Sequence, residues 1–74
     1  MSPEEIKKRL ASAFPEGQIQ VRDLTGTEDH YEVFVQSTAF TGLSRIEQHQ
    51  KVMEALQIEL KSGEVHALSI RTQI

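Results

Sequence analysis

Gly63-Glu64-Val65-His66-Ala67-Leu68-Ser69-Ile70-Arg71-Thr72 reads as a helix stop followed by a strand. Gly63 suits the left-handed residue that ends a helix. Val65 to Thr72 then forms a strand, in which Leu68 and Ile70 alternate with Ser69 and Arg71. His66 stands at the mouth of this strand, on the parity of Leu68 and Ile70 and near the sheet edge. The fold turns on how this last strand is joined to the strands before it.

Immediately upstream, Ser44-Arg45-Ile46-Glu47 is a capping box that opens a helix. The pattern predicts about four turns, ending near Lys61-Ser62-Gly63. Its expected buried stripe is Ile46, Met53, Leu56 and Leu60, with Val52 and His49 beside it. Ser37 to Leu43 connects this helix to an earlier strand, with Phe40 as a core anchor and Gly42 as a turn residue. That strand is Tyr31-Glu32-Val33-Phe34-Val35-Gln36, with Tyr31, Val33 and Val35 on one face. Gln18 to Leu24, carrying Ile19 and Val21, is its expected hairpin partner across a turn at Thr25 to Asp29. A first helix opens on Ser2, Pro3 and Glu5, a second capping box with proline at the first helical position. It carries Ile6, Leu10 and Phe14 as one stripe and stops at Pro15 and Gly17.

The order is helix, two strands, helix, strand. A helix between the second and third strands suits a crossover joining parallel strands. The expected architecture is therefore α+β: a small mixed three-stranded sheet with helices on one face. Seventy-four residues make one domain, spanning 1–74. A chain this short buries only about 60% of the surface its unfolded form exposes. No cysteine is present to add a disulfide or a C-x-x-C metal or redox motif.

Eleven acidic residues against eight Lys and Arg give a net charge of −3, which argues against a generic nucleic-acid binder. No apolar run approaches the roughly 18 residues of a membrane span. Met1 to Glu5 has no basic and then apolar segment, so no secretory signal is expected and a soluble, cytoplasmic protein is. No glycine-rich phosphate loop, G-x-S-x-G or paired acidic motif is present, so the chain is not read as an enzyme. Arg45, Lys51 and Arg71 are the basic candidates for a partner or nucleic-acid surface, but Glu47, Glu54 and Glu59 share the long helix. Three histidines remain. His49, three residues from both Ile46 and Val52, reads as a packed residue holding the connector before its helix. His66 has two readings on the residues alone: a half-buried histidine bonded to backbone, or a ligand. Ser44 and Gly63 are structural, as cap and stop.

Two separated motifs carry a family resemblance. Phe40-Thr41-Gly42-Leu43-Ser44-Arg45-Ile46-Glu47-Gln48-His49-Gln50-Lys51-Val52, followed by Val65 to Thr72, strongly resembles the BolA family. Asp29 to Val33 and Val35-Gln36-Ser37 fit its second strand. The resemblance implies an α-β-β-α-β fold with an extra helical turn before the long helix, related to the type II KH fold. It implies pairing with a monothiol glutaredoxin to hold a bridging 2Fe–2S cluster, with glutathione in the complex, for cluster trafficking or iron sensing. Some members are described as DNA-binding transcriptional regulators, which is the alternative reading. Many members continue past the third strand with a Pro- and Trp-containing tail, so that surface is expected to be missing or different here.

The resemblance implies that His66 is a cluster ligand, and it makes His30 the candidate second ligand. Asp29 and Glu28 rank lower, because hard carboxylates suit a soft iron–sulfur centre less well. A 2Fe–2S cluster takes four ligands, mostly thiolates, and histidine can replace two. This chain has no thiol, so a cluster needs a partner and none is expected in the isolated chain. On its own the chain is expected to be a monomer or a weak homodimer through an exposed sheet edge.

Overall fold

The computed structural model describes residues 2–24, 26 and 30–74. The turn expected at Thr25 to Asp29, and with it Glu28 and Asp29, falls outside the described residues except for Gly26. The elements are α1 (Pro3–Ala13), β1 (Gln18–Asp23), β2 (His30–Gln36), a 3-10 turn (Thr38–Phe40), α2 (Arg45–Ala55), α3 (Gln57–Ser62) and β3 (Ala67–Gln73).

Both capping boxes form. The Ser2 and Ser44 hydroxyls accept from the N–H groups of Glu5 and Glu47, each at 3.2 Å. The Glu5 and Glu47 carboxylates accept in return from the N–H groups of Ser2, at 3.1 Å, and Ser44, at 2.9 Å. Each box satisfies donors that a helix start otherwise leaves orphaned. Helix α1 stops at Phe14, and Gly17 lets the chain pass β2 closely: a Cβ there would lie 2.8 Å from the Gln36 carbonyl oxygen.

The sheet order is β1-β2-β3. β1 pairs antiparallel with β2, from Gln18 opposite Gln36 to Asp23 opposite Tyr31. β2 pairs parallel with β3, from His30 beside Ala67 to Gln36 beside Gln73. Alternation places Tyr31, Val33 and Val35 on the inner face, where all three are fully buried. They meet Ile6, Leu10 and Phe14 of the first helical segment, Phe40 of the 3-10 turn, and Val52 and Leu56 of the crossover in one core. The Phe14 and Phe40 rings pack at 5.2 Å, tilted by 58°. This is the expected small α+β fold, with its extra helical turn and with helices on one face of a mixed sheet. Among the described residues no helix is long and apolar enough to cross a membrane.

The crossover differs from the sequence reading in three ways. First, the single helix of about four turns is two helices. Leu56 breaks it at φ −114°, ψ 18°, and its N–H reaches back three residues to the Met53 carbonyl at 3.1 Å. Second, the helix is rotated from the expected stripe. Ile46 is 70% exposed and Met53 47%, while Val52 and Leu56 are fully buried. The inward row is Gln48, Val52, Leu56 and Leu60, spaced by four residues. Gln48 hides this row from a hydrophobicity pattern. It tolerates the position because its amide donates to the Leu43 carbonyl at 3.0 Å and accepts from the Thr72 hydroxyl at 2.5 Å. Third, that bond means Gln48, not its half-buried neighbour His49, holds the connector.

Ser37 ties the sheet to the first helical segment. It is buried, caps the 3-10 turn by accepting from the Ala39 N–H at 3.0 Å, and donates its hydroxyl to the Glu16 carboxylate. That hydroxyl holds the Glu16 carboxyl below the ordinary 4.5. The cap backbone N–H, then the cap hydroxyl, does the same for Glu5 and Glu47.

Two outcomes follow from this packing. Leu56→Ala, buried in both readings, is expected to cost about 2–5 kcal/mol as a core truncation, and Ile46→Ala to stay within about 0.5 kcal/mol as a surface change; urea unfolding of the Ile46 variant distinguishes the observed helix rotation from the expected one. A carboxyl whose folded pKa is depressed contributes stability above its unfolded value, and that contribution is lost as pH falls through the folded value. Stability should therefore decline as pH drops below about 4.5. The decline should be shallower in a Glu16→Gln/Glu47→Gln variant, read as the urea midpoint against pH.

Candidate functional site

His30 and His66 come together although they lie 36 positions apart in the chain (66 − 30). His30 is the first residue of β2, and its carbonyl accepts from the Leu24 N–H at 2.9 Å. It pairs with Ala67 in the parallel ladder, so His66 lies one residue before the first bridge, alongside it. The two imidazole centroids are 6.3 Å apart, with the ring planes at 76°. His66 is exposed and His30 half-buried.

The expected third strand began at Val65, but the ladder begins at Ala67. The Val65 N–H is used elsewhere: it donates to the Glu59 carbonyl of α3 at 3.2 Å. Val65 itself is 1% exposed and anchors the turn in the core. His66 is therefore outside the sheet, projecting from a fixed turn rather than sitting on the inner face with Leu68 and Ile70. Gly63 adopts φ +84°, and a Cβ on it would lie 3.8 Å from His66 Nε2. The glycine expected as a helix stop is thus also the floor of the imidazole.

Two imidazoles bound to one ion at about 2.0–2.1 Å per nitrogen bring their centroids to about 5 Å. The separation of 6.3 Å is within a side-chain adjustment of that distance. Among the described residues no group of three or more His, Cys, Asp or Glu is placed to hold a metal ion. Among the described residues the donor set is the two imidazoles, which fits the two histidine positions of a 2Fe–2S centre and leaves its thiolate positions to another molecule.

Arg45, Lys51 and Arg71 do not form one surface. Arg45 and Lys51 are exposed on α2 and, six residues apart, lie about 120° from each other around the helix. Arg71 projects from the opposite side of the sheet, with its Nε 3.8 Å from Glu32, which also takes Arg22 at 3.0 Å. A shared carboxylate reduces what either guanidinium offers a phosphate. The residues sequence reasoning missed are Arg22, Glu32, Gln48 and Glu59. Only the strand register could have aligned Arg22, Glu32 and Ser69 in one row. A shallow groove lined by Gln50, Met53, Gln57 and Leu60 contains no imidazole and is separate from the histidine pair.

A family model described as BolA-like protein matches residues 1–74. An uncharacterised protein of Rickettsia prowazekii is 40% identical over 72 residues, covering 97% of this chain and 92% of its own length. BolA-like protein 1 of Mus musculus is 46% identical, covering 92% of this chain, but this chain spans only 54% of the mouse protein. The solved BolA domain of SufE1 from Arabidopsis thaliana superposes with a TM-score of 0.85 at 31% identity, covering 96% of this chain and 88% of that one. With a full-length family match, close relatives and a shared fold, the chain belongs to the BolA-like family.

Proposed function

We propose that this chain is a non-enzymatic iron–sulfur accessory protein that binds a monothiol glutaredoxin and shares a bridging 2Fe–2S cluster with it. The observation that carries the reading is the facing pair His30 and His66, 6.3 Å apart at one end of the sheet, in a BolA-like chain without a thiol. His66, exposed and set on a fixed turn, is the principal ligand. His30, held by the strand ladder, is the second. The glutaredoxin cysteine and a glutathione thiol would complete the four positions. The cluster is cargo, handed on or sensed, and its iron supplies the affinity for nitrogen and sulfur that joins the two proteins. A SufE-like protein 1 of Arabidopsis thaliana, 38% identical over 72 residues, fits a general iron–sulfur role. No arrangement of Arg45, Lys51 and Arg71 favours the DNA reading.

The test mixes the chain with a monothiol glutaredoxin, iron, sulfide and glutathione and records visible absorption and circular dichroism. His66→Ala is expected to abolish the hetero-complex spectrum or weaken cluster binding by at least about 10–100-fold, the range that changes to supporting residues already reach. His30→Ala is expected to alter the band positions with a smaller loss. A wild-type spectrum from His66→Ala overturns the ligand assignment. Tight binding without a cluster that survives loss of both histidines would instead identify a protein adaptor. Because an imidazole must be neutral to ligate, the complex should also weaken in acid.

A further inference from the structure

Helix α3 carries the turn that presents His66, yet little holds it in place. It has six residues, follows directly on the break at Leu56, and has no side-chain cap at its start. A helix of that length has no stability of its own. Its one buried residue is Glu59, 3% exposed. Glu59 is bonded at both ends. Its carboxylate meets Arg9 of α1 at 3.2 Å. Its carbonyl accepts from the Val65 N–H at 3.2 Å and from the Ser62 hydroxyl at 3.2 Å. That hydroxyl in turn accepts from the Glu64 N–H at 3.4 Å. The three bonds of the carbonyl and the hydroxyl fix the loop from Ser62 to Val65, and the next residue is His66.

The carboxylate is not an economical way to bury α3. Its Oε1 is the one buried side-chain oxygen among the described residues without a hydrogen-bond partner. Desolvating a charge against a single partner is often less favourable than packing an apolar residue of similar size. Arg9 is itself 45% exposed, so solvent screening further reduces the attraction. What an apolar side chain cannot supply is direction, since hydrophobic contact is non-directional. A carboxylate paired with the Arg9 guanidinium of α1 constrains the rotation of α3 about its own axis, and with it the direction of the Glu59 carbonyl.

We infer that Glu59, locked by Arg9, is the positioning residue for His66. The Arg9–Glu59 pair on α1 and α3 sets where the imidazole stands against Gly63 and opposite His30. This inference rests on the proposed ligand role of His66 for its functional meaning, but its geometry is testable in the free chain.

The experiment compares wild type, Glu59→Leu, Arg9→Lys and a neutral Arg9→Gln/Glu59→Gln pair by nuclear magnetic resonance, with urea unfolding as the check on fold. The His66 Nε2 lies 3.8 Å from where a Cβ on Gly63 would stand, so the ring current is expected to displace the Gly63 α-proton signals. In Glu59→Leu, at least half of that displacement and the His30–His66 ring cross-relaxation should be lost while the core signals persist. Arg9→Lys should retain both. In the glutaredoxin complex, Glu59→Leu should shift the cluster circular dichroism bands away from wild type. If Glu59→Leu does not fold, the neutral pair takes the same measurements. Wild-type Gly63 and His66 signals in a folded Glu59 variant overturn the positioning role. Shifted signals in the free chain with an unchanged cluster spectrum overturn its bearing on ligation. A His66→Ala complex identical to wild type overturns the ligand reading alone, because the free-chain signals do not depend on it.

Discussion

The parallel pairing of β2 with β3 is the constraint from which the rest follows. Parallel neighbours cannot be joined by a tight turn, so residues 37–66 must leave the sheet, cross its inner face and return. The same crossing covers Tyr31, Val33 and Val35, and their burial is what makes one face of the sheet a core. Because the strands run the same way, their starts lie side by side. His30 opens one and His66 precedes the other, so the crossover that completes the core also assembles the histidine pair.

The crossover is held more by specific bonds than by helix length. Ser44 and Glu47 start α2, Gln48 ties it to the connector and to β3, and Leu56 lets it turn into α3. The last turn hangs on the Glu59 carbonyl, with Gly63 supplying a left-handed residue between α3 and β3. Val65 then turns into the core and leaves His66 outside it. An exposed, backbone-fixed imidazole is suited to meeting a ligand that arrives on another molecule.

The donor chemistry sets the limit on what the chain does alone. Two facing imidazoles and no thiol can fill no more than two of the four positions of a 2Fe–2S coordination shell. Arg45 and Lys51 on α2 and Arg71 on the far side of the sheet are dispersed, and Arg22 and Arg71 converge on one glutamate. Arg45, Lys51 and Arg71 form no continuous basic track.

The sequence by itself determined where α1 and α2 start, the presence of three strands and the order of these elements. Capping boxes at Ser2 and Ser44, alternation in β2 and the stop at Gly63 are local signals, set by backbone hydrogen bonds and φ preferences within a few residues. The motifs around Ser44 to Val52 and Val65 to Thr72 also made the family legible, and they pointed to His66. Only the tertiary structure decided which face of α2 is buried, because a satisfied glutamine in the inward row gives no hydrophobic signal. It alone decided that the crossover breaks at Leu56 and that Val65, with its N–H committed to Glu59, stays out of the ladder. It alone set His30 against His66 and Arg9 against Glu59. Those are contacts between residues distant in the chain, and their geometry comes from strand register and helix rotation, which short-range patterning does not encode.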